Sequence, residues 1–243
     1  MRSALILVST LALAACNMAG AEEGEDRSAA PAARQSYNVG SFDSVSLGGP
    51  YDVVVQVGPA ASVRAEGDAE EIAQMVVEVK NGSLEIRSAK RSGNFTIGFS
   101  RDRNVTVYVT APSLRAAAIG GSGDMRIDKV EGGEFAASIG GSGDMTIAAM
   151  RVGEASFSVA GSGGIRAAGT AERSSVSIAG SGDVIVDGLK SRSASVSVVG
   201  SGDVQANAAE TADVSIMGSG NVKIAGGARC SVNKVGSGDV SCG

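Results

Sequence analysis

An acidic side chain recurs directly after a Gly-Ser-Gly tripeptide in the second half of the chain. Seven such tripeptides begin 18 to 20 residues apart, and the acids are Asp124, Asp144, Asp183, Asp203 and Asp239. If the repeats stack in register, neighbouring carboxylates lie about 5 Å apart and repel by about 1 kcal/mol in water. A Ca²⁺ ion would relieve that repulsion. It requires six or more oxygen ligands, however, and one Asp per repeat supplies few of them. We therefore predict that each Asp accepts a hydrogen bond from the backbone of its own turn.

Serine recurs at an outward position of the same repeats. The serines are Ser138, Ser158, Ser177, Ser197 and Ser215. A serine nucleophile needs a base beside it, and the chain contains no histidine, which is the commonest such base. We therefore predict structural columns of hydroxyl groups, no catalytic residues and no cofactor.

A basic cluster stands out in a chain with a formal net charge of −5. Its members are Arg87, Lys90, Arg91, Arg101 and Arg103. They are weak candidates for contact with anionic glycans or lipid headgroups. The competing interpretation is a solvated loop that keeps the domain soluble. The acidic balance, with an isoelectric point near 4.9, disfavours nucleic acid as a partner.

The residues around each tripeptide predict the strands that must carry these columns. Val176 and Ile178 stand four and two positions before Gly180, with a serine between them, and the other repeats follow the same pattern. Period-two alternation in units of 18 to 20 residues predicts a right-handed parallel β-solenoid (β-helix) with coils of that length. We expect the second glycine of each tripeptide to take the positive φ of a type II turn.

The first half of the domain breaks the period. Residues 42–57 follow the coil pattern, whereas residues 59–103 do not. Within the latter, Asp68 to Met75 predicts a short helix capped by Asp68, and residues 76–86 predict a hairpin that turns at Lys80–Ser83. We interpret residues 59–103 as an insertion that caps the first end, and residues 104–243 as the regular repeats.

Two cysteines lie in the last coil. Cys230 is six residues before the start of the final Gly-Ser-Gly, and Cys242 is six residues after it. Spacing alone leaves open whether they form a disulfide or remain two buried thiols. The sequence offers no covering element for this coil, so we expect weak self-association through residues 229–243.

The N-terminal residues predict a location in the bacterial envelope. Residues 1–15 have a basic start and a short apolar stretch, which is typical of a signal peptide. The ending Leu-Ala-Ala-Cys resembles a bacterial lipobox and predicts cleavage before Cys16 and lipidation of that cysteine. Residues 16–37 then comprise the lipidated cysteine and a disordered tether. Asn17 is not the Asp of the inner-membrane retention signal, which favours the outer membrane and leaves the periplasmic or surface face open.

Four kinds of segment form a recognisable set: Tyr51-Asp52-Val53, the Leu84-Glu85-Ile86 hairpin, the strand from Val105 to Pro112 and the Gly-Ser-Gly-Asp runs. Together they resemble the bacterial family called the putative auto-transporter adhesin head GIN domain. The resemblance covers residues 38–243 and implies an envelope β-solenoid without catalytic residues.

These observations predict a non-enzymatic envelope lipoprotein that serves adhesion or envelope structure. Its expected partners are the membrane, through the lipid, and an envelope glycan or protein. One alternative is a carbohydrate-active β-helix enzyme similar to polysaccharide lyases, for which only residues 59–103 could build a cleft. A second alternative is an accessory of envelope stress sensing, which the sequence does not separate from adhesion.

The lipobox resemblance generates the first testable prediction. We expect the protein from the membrane fraction to begin at an acylated Cys16, as measured by intact mass. The Cys16→Ser variant should lose the acyl mass. An unmodified product that begins at another residue would show that the lipobox interpretation is wrong.

Overall fold

The structure is a computed structural model that describes residues 32–89 and 105–243. This part of the chain is almost entirely β-structure. The strands are β1 Ala32–Tyr37, β2 Ser44–Gly48, β3 Asp52–Val57, β4 Ser62–Asp68, β5 Met75–Lys80, β6 Ser83–Ser88, β7 Val105–Ala111, β8 Ala116–Ile119, β9 Met125–Ile139, β10 Met145–Gly161, β11 Gly164–Gly180, β12 Asp183–Gly200, β13 Val204–Gly218, β14 Val222–Ala225, β15 Arg229–Gly236 and β16 Val240–Cys242. One short helix, α1, spans Ala69–Ala73.

The long strands stack as the coils of a parallel β-solenoid. β9 to β13 pair in sequence order, each parallel to the next. Buried side chains lie two residues apart along straight stretches and three or more apart at corners, as from Ile127 to Val130. Each strand therefore wraps around the core instead of running straight. The predicted β-solenoid is confirmed; its right-handed sense, which parallel connections favour, stays a prediction.

Apolar residues stack on residues of the same column. One inward column is at most 1% exposed and consists of Met125, Met145, Ile165, Val184, Val204 and Val222. Phe135 and Phe157 fill a second inward region. Because inward and outward residues alternate along each strand, a shift of one residue would turn every column inside out. The burial of the core therefore fixes the register.

The coils at the N-terminal end do not follow chain order. β2 lies between β6 and β8, and β3 lies between β7 and β9, all parallel. The first coil of the sequence is thus the second in space. β6 and β7 build the outermost coil, because both carry the buried alternation of a coil strand. The expectation that the whole of residues 59–103 forms a separate cap therefore needs correction.

The outermost coil is covered by antiparallel strands and the helix. β4 pairs with β7, β1 pairs with β4, and β5 pairs with β6. The predicted helix and hairpin are confirmed: the Asp68 carboxylate accepts hydrogen bonds from the backbone of α1, and Asn81 and Gly82 form the hairpin turn with positive φ.

The strand β1 corrects the expected tether. Composition predicts that residues 32–37 belong to a disordered tether, but they pair along their whole length with β4. Arg34 Nε also lies 2.6 Å from Glu66 Oε1 across this pair. The composition of this segment indicates only that it cannot form a hydrophobic core of its own. An edge strand needs only a neighbouring strand with free backbone N–H and C=O groups.

The glycines of the turn have two different roles. The positive φ falls on the first glycine, at Gly161, Gly180, Gly200, Gly218 and Gly236, and not on the second as predicted. The second glycine is needed for space, since a Cβ on Gly182 would overlap the carbonyl oxygen of Gly163 in the coil below. Close stacking arises because the Gly161 carbonyl accepts hydrogen bonds from both Ser181 N (2.9 Å) and Gly182 N (3.1 Å).

The last coil is held differently from the others. Lys234 stands in the inward column next to Ile216, and its Nζ donates a hydrogen bond to the Gly238 carbonyl (2.7 Å). A disulfide joins Cys230 in β15 to Cys242 in β16. An inward charge on an edge strand opposes the direct addition of a further strand. Self-association through residues 229–243 stays a prediction.

The turn geometry generates a prediction with a matched control. We expect Gly182→Ala to lower the free energy of unfolding by about 1–3 kcal/mol, because the added methyl overlaps backbone. Gly180→Ala should cost about the same, because its φ of 137° excludes other residues. Ser181→Ala, which is exposed between them, should change it by less than about 0.5 kcal/mol. Equal midpoints of urea unfolding for all three would contradict this account.

The disulfide generates a second prediction. Val232, an inward residue of this coil, is 48% exposed, so packing contributes little to holding the coil in place. A disulfide that closes a short loop contributes about 2–4 kcal/mol. We expect reduction, or the Cys230→Ser/Cys242→Ser pair, to speed amide hydrogen exchange in residues 229–242 at least tenfold and to leave β10 to β12 unchanged. Unchanged exchange in residues 229–242 would mean that packing alone orders this coil.

Candidate binding surfaces

The aspartate column forms a ladder between coils. Asp124 Oδ1 accepts a hydrogen bond from Asp144 N (2.9 Å), and Asp183 Oδ1 accepts one from Asp203 N (3.0 Å). Asp144 and Asp203 accept from Gly164 N and Asn221 N in the same way. The predicted bond to the backbone is therefore present, but its donor lies in the next coil and not in the residue's own turn.

The ladder explains why these acids follow the turn. At this position the side-chain oxygen accepts a hydrogen bond from a backbone N–H of the next coil. At most of the turns that N–H belongs to the residue directly before the strand begins. Asn221 shows that no charge is required, since its Oδ1 accepts from Asp239 N (3.1 Å). No group of three or more metal-ligating side chains occurs among residues 32–89 and 105–243.

The basic cluster is only partly described. Lys90, Arg91, Arg101 and Arg103 lie outside the described residues. Arg87 lies on the β5–β6 hairpin, where its guanidinium is 2.7 Å from Glu78 Oε1. The pKa of the Glu78 carboxyl is below its ordinary value, first because Lys80 and then because Arg87 donates a hydrogen bond to it. Arg87 therefore makes an ion pair within the hairpin.

The strand segments before the turns present a nearly uncharged outer surface, which we call the serine face. Its side chains are Ser156, Ser158, Ala160, Ser175, Ser177, Ala179, Ser195, Ser197, Val199, Asp213, Ser215, Met217, Ser231, Asn233 and Val235. Asp213 is the one charged member, in a chain of which 19% is charged. Depletion of charged residues is one mark of the core of protein interfaces, where methionine is enriched and serine and alanine are not.

One edge of the serine face is apolar. Ala160, Ala179, Val199, Met217 and Val235 lie side by side in successive coils. The last three are 51%, 60% and 62% exposed. The sequence analysis missed this column, although the alternation that buries Ile178 and Val198 already directs the next residue outward.

Charges gather at the corner beyond the other edge of the serine face. Arg173 lies 3.1 Å from Glu154, and Arg192 lies 3.2 Å from Glu172 and 3.8 Å from Glu210. These contacts join residues of neighbouring coils and are solvent-exposed, so each contributes little to stability. They do neutralise one another, which leaves this corner without a strong charge of one sign.

The surface grooves are shallow and open to solvent. A groove of about 520 Å³ runs over the last coils past Asp203, Gln205, Lys223 and Asp239. A smaller one, of about 200 Å³, lies beside Gly164, where the aspartate column lacks a side chain. The described part of the segment that could build a cleft, residues 59–89, forms β4, α1, β5 and β6 and packs on the end coil.

Two buried polar residues also escaped the sequence analysis. The Ser174 and Ser191 hydroxyls lie 3.1 Å apart inside the coil, and Ser191 Oγ donates to the Asn207 carbonyl (2.6 Å). Both side chains are satisfied, so they indicate packing and not a site. Within the described ranges no helix is long and apolar enough to cross a bilayer.

The fold defines a class of protein, the in-register β-solenoid with glycine turns. A profile of the family described as "Putative auto-transporter adhesin, head GIN domain" matches residues 41–228. The match covers more than three quarters of the chain, and the chain belongs to this family, as its resemblance indicated. No match was found among curated proteins.

Solved structures share the fold. A "putative adhesin" from Bacteroides fragilis is 21% identical, with a TM-score of 0.77 over 87% of this chain and 97% of the other. A "putative adhesin" from Parabacteroides distasonis is 20% identical, with a TM-score of 0.68 over 88% and 98%. A "putative lipid binding protein" from the same species is 21% identical, with a TM-score of 0.67 over 87% and 96%. At these identities the likeness concerns the fold alone.

The aspartate ladder generates a prediction that separates structure from cation binding. We expect Asp203→Ala to lower the free energy of unfolding by about 0.5–1.5 kcal/mol, because two hydrogen bonds from Asn221 are lost. Asp203→Asn keeps the accepting oxygen and should cost less than half as much. Millimolar Ca²⁺ should leave the unfolding midpoint unchanged. A midpoint that rises with Ca²⁺ in the native chain and not in Asp203→Asn would overturn the structural role.

Proposed function

We propose that the protein is a non-catalytic, adhesion-type domain of the bacterial envelope, held at the outer membrane by a lipid on Cys16. In this proposal it binds its partner through the serine face. The observation that carries the proposal is that this face is exposed and nearly uncharged, in a domain whose other outward residues are largely charged or polar. Solenoid proteins use extended surfaces of this kind for binding. The family and the N-terminal lipobox support the envelope location.

A carbohydrate-active enzyme is the weaker interpretation. Hydrolysis of a glycan needs a pair of acidic groups that flank the scissile bond, and elimination needs a base together with groups that stabilise the developing charge. The exposed acids after the turns are instead engaged with backbone N–H groups of the next coil. The acids and bases at the charged corner pair with each other on the open surface.

The proposal is tested by binding of the full chain, solubilised in detergent, to isolated envelope fractions and to an array of envelope glycans. We expect Ser197→Glu, which puts one carboxylate in the middle of the serine face, to weaken binding at least tenfold. Gln205→Glu is the matched control, since it adds the same charge at an outward position of the next coil. It should change binding less than twofold.

Two outcomes would contradict the proposal. One is equal loss of binding by the two variants, which would indicate a general charge effect. The other is the appearance of new reducing or unsaturated ends in the glycans, which would reveal an enzyme.

A further inference from the structure

We propose that the partner of the serine face is a second copy of this chain, packed face to face in the antiparallel direction with a two-fold axis beside Val199. This inference rests on the proposed function in one respect, namely that the serine face is the binding surface. It adds the identity and the orientation of the partner.

The apolar column shows a gradient of side-chain size along the solenoid. From coil to coil the side chains grow, from Ala160 and Ala179 through Val199 to Met217 and Val235. A two-fold axis that runs parallel to the strands, over β12 at Val199, keeps each column opposite itself and reverses the order of coils in the second copy. Ala160 then faces Val235, Ala179 faces Met217, and Val199 faces its own copy. Small residues meet large ones throughout, which is how packed layers interdigitate.

The charges of the neighbouring column are complementary under the same two-fold axis. That column reads Glu154, Arg173, Ser193, Thr211 and Arg229 in successive coils. The same two-fold axis places Glu154 opposite Arg229 and Arg173 opposite Thr211. Asp213, the one charge of the serine face, comes to lie opposite Ser175. No like charges meet, and opposite charges meet twice at the rim, where they fix the register.

A parallel arrangement lacks this complementarity. If the two-fold axis ran along the solenoid, each coil would face the same coil of the other copy. With the axis over the apolar column, Met217 would meet Met217. With the axis midway between the apolar column and the Glu154 column, Ala160 would meet Glu154 and Ala179 would meet Arg173. Each apolar side chain would therefore face an identical side chain or the column that carries the charges, and neither arrangement packs well.

The surface that the two copies would bury is large enough for a specific interface. The five coils that carry the column span about 24 Å, and the seven residues from Glu154 to Ala160 span about 23 Å. Together with the neighbouring Glu154 column, the face therefore covers roughly 1,100 Å² over both copies, which clears the roughly 1,000 Å² expected of a specific interface. An anionic lipid surface fits less well, because the face offers no cation within its described residues.

Cysteine cross-linking on the full chain in its own membrane tests the axis and the orientation. Val199→Cys should give a covalent dimer with a short bismaleimide, and Gln205→Cys on another face should not. Ala160→Cys alone should fail, because the two cysteines would lie about 19 Å apart. Ala160→Cys and Val235→Cys chains with different tags, produced together, should cross-link to each other. The parent chain is the background, since Cys230 and Cys242 are joined.

A further substitution tests the chemistry of the interface. Adding Val199→Glu to the mixed Ala160→Cys and Val235→Cys chains places two carboxylates on the axis and should reduce the dimer at least tenfold. Adding Gln205→Glu should not. The inference is overturned if Val199→Cys gives no dimer above the parent chain, or if Ala160→Cys alone cross-links as strongly.

The outcomes separate this inference from the proposed function. If cross-linking fails while Ser197→Glu still abolishes binding to the envelope, the partner is a different molecule, such as a glycan, and only the dimer is wrong. If cross-links form while Ser197→Glu leaves envelope binding intact, the serine face joins copies and the proposed binding function is wrong.

Discussion

Close approach of backbone to backbone at the turns is the constraint on which the structure depends. At each turn one glycine carbonyl accepts N–H groups of the next coil, and a Cβ on either glycine of that coil would overlap backbone below it. Only a turn without side chains at these two points lets the coils close to the spacing of a β-ladder. The serine between the glycines is exposed and carries no such restriction. The tripeptide is therefore the minimum that the stacking geometry requires.

Fixed stacking turns a linear sequence into columns. Once the turns are in register, each residue has a neighbour of the same column directly above and below it. The consequence inside is a core of matched apolar residues, with Met125 on Met145 and Phe157 on Val176. The consequence outside is that any trend along the repeats, such as the change from Ala179 to Met217, becomes a gradient across a surface. Function in this fold can therefore reside in the composition of a column.

The sequence predicted those features that depend on local pattern. Alternation and period gave the solenoid, and capping and turn residues gave α1 and the β5–β6 hairpin. It did not predict contacts between distant segments. Nothing in residues 44–57 indicates that β6 and β7 will lie outside them, and the donor to Asp124 belongs to a residue one coil away. The positive φ of Gly180 likewise depends on how one turn sits on another, which no single repeat contains.

The order of coils at the N-terminal end has a consequence for the assembly of the chain. The coil formed by β2 and β3 is bounded on one side by β6 and β7 and on the other by β8 and β9, all of which come later in the sequence. In a chain synthesised from its N-terminus, the edge of this coil that pairs with β9 therefore stays open until Ile127, seventy residues after Val57, whereas β6 and β7 follow earlier and cover the other edge. Non-local pairing of this kind is slow, and its open edges are exposed to wrong partners meanwhile. Further coils can add one after another in chain order only after these three N-terminal coils have paired with each other.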